Sequence, residues 1–540
     1  MSTVTSTKES LLHPEKFRIK HQDAVRVLGD NGDSFPVDES KETLETHSKV
    51  AIVGGGFGGV ATALGLLKRA KESDFCIFEK HDQLGGTWYA NTYPGCLSDI
   101  PAIWYSFSDE LNTNWSCSQP PQAEMEEYIL TVVKKHGIDK KATLKTAITS
   151  FEWDEKTSLW TLYGVNVESG QRIKHTASLV VAARGILVIP NHLKVPGLDT
   201  YDGVYMHSAL WDYDVSFEGK DVLVIGNGCS ATQVVPSLLT NFKPKSITQL
   251  VSTKQWVMPE ITKALHRLYS IIGATWLGSI FCRALISTVA EMRYPMYAGN
   301  GWISKLVRYL NEKTALNYMK STCPPEYLHH ILPDYRIGCK RLIFDRGYLQ
   351  SLHDKRMSLT GSRVKLIDGK MVTFQDGLRA KFDIIVACTG YDVSKPFFMD
   401  TVIGENGTKL NELWDKEGIA AYETFMIKSF PNFYLVGGPN SATGHSSVVL
   451  AIENGVNFFL KTAGSVISGK DKYVAVKSEA YDRWDKECQE KLSNAVYGSQ
   501  FGGCASWYTD NGRNHTMYPD SQLRMWYRSS HPNYSDLELK

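Results

Sequence analysis

Two apolar runs of strand character end in glycine-rich turns 172 residues apart. Val50-Ala51-Ile52-Val53 leads into Gly54-Gly55-Gly56-Phe57-Gly58-Gly59, and Val222-Leu223-Val224-Ile225 leads into Gly226-Asn227-Gly228-Cys229-Ser230-Ala231, with Thr232 and Gln233 following. Both have the Gly-x-Gly-x-x-Gly/Ala spacing of a dinucleotide-binding βαβ unit. Gly54 and Gly226 make the tight turn, Gly56 and Gly228 let the backbone approach a pyrophosphate, and Gly59 and Ala231 let the helix pack on its strand. One such turn could be a tight turn and nothing more. Two, each between a strand and a helix, imply two dinucleotides and an α/β fold with two Rossmann-like domains.

Composition removes several other classes. The 59 Lys and Arg nearly cancel the 58 Asp and Glu, so over the chain as a whole no basic field exists to draw in nucleic acid or an anionic membrane. Ten cysteines are scattered from Cys76 to Cys504 with no Cys-x-x-Cys pair and no zinc-like spacing. That pattern fits reduced thiols in a cytoplasmic protein without a metal. Residues 1–47 are polar and lack the apolar run of a signal peptide, which suits a partly ordered leader. The run 268–290 is about as long as a membrane span and has Arg283 as its one charge. Gly273, Gly278 and that central arginine favour a buried or interfacial helix, so weak contact with a membrane surface is expected rather than a crossing.

Along the chain, helical spacing over 60–71 is followed by an apolar strand over 75–78 that ends at Glu79, 20 residues after Gly59. A carboxylate there accepts from ribose hydroxyls and repels a 2′-phosphate, so the first site takes FAD or NAD rather than NADP. The expected division is a leader (1–47), the first part of an FAD-binding domain (48–190), a second nucleotide domain (191–345) with a helical insertion (260–330), and a return to the first domain with a C-terminal segment (346–540). Apolar strands over 382–388 and 433–436, each running into a glycine turn, are expected to make that return.

Six segments, spread over about 48–535, together resemble the flavin-containing monooxygenases of the Baeyer–Villiger type. The first turn with Glu79 resembles the family's FAD site. Gly85-Gly86-Thr87-Trp88, Asn91-Thr92-Tyr93-Pro94-Gly95, Asp99 with Ile100, and Tyr105 are similar to its run beside the isoalloxazine. The stretch from Tyr201 to Asp212 carries Gly203, His207 and Trp211 in the register of the family fingerprint, with Tyr201 in place of phenylalanine. Gly338-Cys339-Lys340-Arg341-Leu342 resembles the Lys-Arg pair in which the lysine reaches the NADPH 2′-phosphate and the arginine stands over the flavin. Gly438-Pro439-Asn440-Ser441, Gly444-His445-Ser446-Ser447 and Cys504-Ala505-Ser506-Trp507-Tyr508 resemble C-terminal family segments, with Trp507 a cofactor contact. Val251-Ser252-Thr253, whose Ser252 and Thr253 are also read as cofactor-binding, departs from the usual Gln-Arg-Thr, leaving Thr253, Lys340 and Lys254 as the candidates to hold the 2′-phosphate and putting NADPH preference in doubt. Ala183-Arg184-Gly185, where Ala-Thr-Gly is typical, is a second departure.

The resemblance implies FAD and NADPH as cofactors, O2 as co-substrate, and insertion of one oxygen into a bulky hydrophobic ketone to give an ester or lactone, in secondary-metabolite biosynthesis. Arg341 would stabilise negative charge during oxygen transfer, Asp99 would orient that guanidinium, and His207 would couple domain motion. The alternative within flavin chemistry is electrophilic oxygenation of an amine or sulfide, or hydroxylation. A disulfide reductase would need a cysteine pair near the first site, where only Cys76 and Cys96 lie, unpaired in spacing. Trp276, Phe281, Tyr294, Tyr297, Trp302 and Tyr309 of the insertion offer apolar walls for the substrate. A monomer is expected.

Overall fold

The computed structural model describes residues 35, 37–260, 263–393, 401–504, 506, 508–510 and 512–540. Two sheets carry the two glycine turns. The first has eight strands: Thr401–Ile403, Thr146–Asp154, Leu159–Asn166, Arg172–Ala182, Leu44–Val53, Phe75–Phe78 and Ala142–Thr143 in spatial order, with Phe433–Leu435 also paired to Arg172–Ala182. Leu44–Val53 lies between two parallel neighbours, and Val50, Ala51 and Ile52 are fully buried. Helices cover both faces of such a strand, which is why its apolar run is continuous rather than alternating. It begins at Leu44, inside the stretch expected to be leader. Thr146–Asp154 and Leu159–Asn166 form an antiparallel hairpin on the same sheet.

The second sheet is parallel throughout, in the order Met357–Thr360, Ser246–Leu250, Asp221–Ile225, Ile384–Ala387 and Val204–His207. Here one expectation is corrected. Ile384–Ala387 does not return to the first domain but pairs between Asp221–Ile225 and Val204–His207. A short strand buried on both faces has no alternation to say which of two parallel sheets it joins. The expected boundary at 345 therefore falls too early. The first sheet is regained at Thr401–Ile403 and then, as expected, at Phe433–Leu435.

Between the strands of the second sheet stand the helices Lys263–Gly273, Trp276–Arg293 and Trp302–Thr322. The apolar run 268–290 is thus two helices rather than one. The break is set by Thr275, whose Oγ1 accepts from the Gly278 N–H at 3.1 Å and caps the second helix. Among the described residues, no helix is long and apolar enough to cross a membrane. Arg283 is buried and anchors this helix to a loop of the first domain. Its Nη1 donates to the carbonyls of Ile103 and Ser106, both at 2.9 Å, and its Nη2 to Ser108 Oγ at 2.9 Å. Of the six aromatic residues expected to wall the substrate, Tyr297 is buried and Tyr294 partly buried, whereas Trp276, Phe281, Trp302 and Tyr309 point outward to the surface.

Candidate active site

At the first turn the backbone itself forms the cradle. A Cβ on Gly86 would lie 2.6 Å from Gly56 Cα, so the Gly85-Gly86 corner and the glycine turn approach to a distance that no side chain permits. Glu79 ends its strand buried beside them. Its Oε2 accepts from the Gly55 N–H at 2.7 Å, while Oε1 accepts from the His81 N–H at 3.0 Å and lies 2.8 Å from His81 Nδ1. Burial raises the Glu79 pKa, but these donors outweigh it and hold the carboxyl below the usual range. Phe57, Trp88 and Tyr105 converge, with the Tyr105 ring 5.4 Å from Phe57 and 5.8 Å from Trp88. Thr87 opens the short helix Thr87–Ala90 and is exposed.

The second turn has the same strand–turn–helix form, from Asp221–Ile225 into Cys229–Ser237, whose N-terminal residues Cys229 and Ser230 precede buried Ala231 and Thr232. A Cβ on Gly228 would meet nothing within 4 Å, so this backbone faces open space that a pyrophosphate could fill. The turn is braced from behind: Tyr348 OH donates to Asn227 Oδ1 at 2.9 Å, and Gln249 Nε2 to the Gly226 carbonyl at 2.9 Å. Gln233 is committed elsewhere. It accepts from Tyr93 OH at 2.8 Å and donates to the Leu97 carbonyl at 3.3 Å, tying the second helix to the Tyr93-Pro94-Gly95 loop. Ser252 and Thr253 are exposed just beyond the strand Ser246–Leu250. Lys340 Nζ lies 5.2 Å from the Tyr335 ring, and Tyr335 OH donates to the Lys254 carbonyl at 2.8 Å, which draws these residues into one neighbourhood.

The fingerprint residues lie at the edge of the second sheet rather than at the paired glycine turns. His207 ends the strand Val204–His207, Gly203 precedes it against Tyr201, and Trp211 stacks on Phe217 at 5.4 Å and 7°. His207 Nδ1 accepts from the Ala209 N–H at 3.1 Å, so the ring is neutral with its proton on Nε2.

Between the two turns stands one ion pair from residues 242 positions apart: Arg341 Nε and Nη2 both donate to Asp99 Oδ2, at 2.8 and 2.6 Å. Asp99 is itself held, since Gln119 Nε2 donates to its carbonyl at 2.9 Å and Ser98 Oγ closes the turn onto the Ile100 carbonyl at 2.7 Å. The Asp99 carboxylate holds the Arg341 guanidinium above its ordinary pKa, and Cys229, Tyr105 and Tyr508 lie close enough to feel its charge. Burial pushes the Tyr105 hydroxyl up to about 12, so it stays protonated. About half of the Arg341 side chain remains open to solvent. Trp507 lies outside the described residues.

One cysteine expectation is corrected at the same place. Cys339 and Cys504 form a disulfide across 165 residues, which fastens the Lys340-Arg341 segment to the C-terminal loop that carries Tyr508. The other eight cysteines are free thiols. Among the described residues no group of three or more His, Cys, Asp or Glu is placed to hold a metal. The braces Tyr348 and Gln249, the Arg283 anchor and this disulfide had no motif to announce them.

The Arg341–Asp99 pair lies close to Cys229 of the second glycine turn and to Tyr105, which packs on Phe57 of the first, so the chain has two dinucleotide-binding turns that converge on one clamped arginine. The family model for flavin-binding monooxygenase-like proteins matches residues 47–297. A Baeyer–Villiger monooxygenase of Streptomyces coelicolor is 32% identical over 486 residues, covering 88% of this chain and 90% of the relative. An FAD-binding monooxygenase of Aspergillus niger is 29% identical over 509 residues, covering 92% and 82%. Among solved structures, an oxidised steroid monooxygenase bound to NADP superimposes with a TM-score of 0.78 at 22% identity, covering 91% of this chain and 99% of the other. The chain belongs to the Baeyer–Villiger monooxygenase family.

Proposed function

We propose that this FAD-dependent, NADPH-reduced monooxygenase inserts one atom of O2 into a bulky hydrophobic ketone to give an ester or lactone, in secondary-metabolite biosynthesis. The observation that carries the reading is the Arg341–Asp99 pair between the two glycine turns. The cradle fits the cofactors. Gly54, Gly56, Gly59, Glu79, Gly86, Thr87, Trp88, Asp99, Ile100 and Tyr105 would hold FAD. Gly226 to Thr232, with Ser252, Thr253 and Lys340, would hold NADPH; Gln233 would act through its tie to Tyr93. Bound FAD supplies electron transfer from the nicotinamide to oxygen, chemistry that no side chain provides.

The chain's own residues then do the rest. Arg341 offers a permanently charged, planar donor set to an anionic oxygen, and such charge-assisted bonds are strongest where the donor is already oriented. Asp99 supplies that orientation without occupying the remaining donor hydrogens. Lys340, whose ammonium is partly desolvated against Tyr335, is the cation available for the 2′-phosphate. The reading also includes a monomer in the cytoplasm whose 268–290 segment touches a membrane surface.

The test is Arg341→Ala in the holoenzyme. FAD content and reduction by NADPH should persist, while ester formation from a panel of hydrophobic ketones falls by about a hundred-fold or more. Ester product at near wild-type rate would remove Arg341 from the reaction. Sulfoxide or N-oxide products without any ester from wild-type enzyme would replace the ketone reading by the electrophilic one.

A further inference from the structure

We propose that the helical insertion, together with the C-terminal helix Gln522–Ser530, seats the protein on an anionic lipid surface. This rests on the reading that 268–290 meets a membrane, and it names both the full surface and the lipid charge it requires. The helix Trp276–Arg293 is inside out. It buries Ser279, Cys282 and Arg283, while Leu277, Ile280, Phe281, Leu285, Val289 and Met292 form one stripe on its outer face. Leu277 is 72% exposed and Arg283 8%. The first half of the helix Trp302–Thr322 repeats the inversion, before Ala315 and Met319 turn inward: Arg308 is buried and donates to the Met296 carbonyl at 3.1 Å, while Trp302 is 75% exposed, followed outward by Ile303, Leu306, Tyr309 and Leu310. A helix solvated by water carries its apolar stripe inward. Two neighbouring helices with the opposite arrangement imply that water is not the solvent of their outer face.

The third segment extends the same surface. Gln522–Ser530 starts against the end of Trp276–Arg293, where the Gln522 N–H donates to Glu291 Oε1 at 3.0 Å and Tyr294 OH donates to the Pro519 carbonyl at 3.1 Å. Its outer face shows Leu523, Trp526 and Tyr527. Three exposed tryptophans among aliphatic residues match the headgroup boundary, where an aromatic ring can be apolar on one side and wet on the other. With no crossing helix among the described residues, the helices would lie in the plane of the headgroups.

Charge selects lipid over a second copy of the chain. With Arg283 and Arg308 buried, the exposed charges along 264–311 are Arg267, Arg293 and Lys305, and the single acid there is Glu291. Glu291 is engaged with the Gln522 N–H and His445. In a two-fold dimer this cationic surface would face itself, whereas an anionic leaflet is its complement. The buried Arg283 then has a positive role: it ties the lipid-facing helix to the 103–108 loop that carries Tyr105.

The experiment is flotation of the full-length holoenzyme through a density gradient with phosphatidylcholine vesicles, with and without phosphatidylglycerol. The wild type should float with the anionic vesicles, less with the neutral ones, and be released by salt. In Leu277→Asp/Leu285→Asp the floating fraction should fall about ten-fold, with FAD content and substrate-free NADPH oxidation unchanged. If that variant loses FAD, Leu306→Ser on the neighbouring helix gives the same readout. Failure of the wild type to float overturns the proposal. So does a lipid-free dimer, seen by sedimentation, that these substitutions dissociate. Flotation needs no substrate, so an enzyme that floats but makes no ester would defeat the proposed function and leave the lipid surface standing.

Discussion

By the resemblance read from the sequence, Ser252 falls at the position where the family usually carries an arginine. It is exposed beyond the strand Ser246–Leu250, with Thr253 beside it, and its hydroxyl cannot make the paired, charged contact that a guanidinium makes with a phosphate. Lys340 remains as a point charge. Ser252→Arg should therefore lower KM for NADPH by about ten-fold while leaving KM for NADH within about two-fold, since only NADPH carries the 2′-phosphate. An unchanged ratio of the two constants would show that residue 252 does not face that phosphate. Arg341 and Asp99 were legible in the sequence because each sits inside a motif with fixed flanks. Tyr348 and Gln249 were not, because a lone tyrosine or glutamine carries no spacing that distinguishes a brace from an ordinary buried polar residue.

At the scale of elements, the glycine turns and their strands were readable from local pattern, whereas long-range pairing was not. Ile384–Ala387 is a parallel strand buried on both faces, and its four apolar residues would suit either sheet. The apolar run 268–290 announced a helix, yet the inversion of its faces appears only when Ser279, Cys282 and Arg283 are seen buried and Arg283 is seen bonded to the first domain. The disulfide shows the same limit, since nothing in a separation of 165 residues couples Cys339 to Cys504. Its position gives a prediction. Cross-linking restricts the unfolded chain and fixes the Lys340-Arg341 segment to the loop that carries Tyr508, so Cys504→Ser should cost about 2–5 kcal/mol and lower Tm by a few degrees. Trypsin should also cleave near Lys340 and Arg341 faster. Treating the wild type with a thiol reductant should reproduce both changes, and the variant should not respond to it. A variant as stable and as resistant as the wild type would mean that the loop is held by its packing alone.

For the whole molecule, each sheet contains a neutral histidine, and the two contribute to the response to acid. In the first sheet Ser48 Oγ donates to the Val50 carbonyl at 2.9 Å and so must accept from His175 Nε2, leaving Nδ1 to accept from Thr46 Oγ1 at 2.8 Å. In the second, His207 Nδ1 accepts from the Ala209 N–H. Burial, with a smaller contribution from a neighbouring histidine, depresses both pKa values to about 4. Unfolded histidine titrates near 6.5. Between these values the unfolded chain binds more protons, so the stability from each ring is complete above about pH 6.5 and is lost as pH falls toward 4. Glu126 works the other way. Burial raises its carboxyl to about 7, so its cost to stability is relieved as pH falls from 7 toward the usual carboxylate range. Shifts of similar size on two histidines and one glutamate leave a net loss on the order of 1–2 kcal/mol on acidification from pH 7 to 5. Tm measured by scanning calorimetry should fall over that interval. In His175→Gln/His207→Gln it should fall less or rise, because Glu126 then acts unopposed. A double variant with the wild-type slope would place the acid sensitivity elsewhere in the fold.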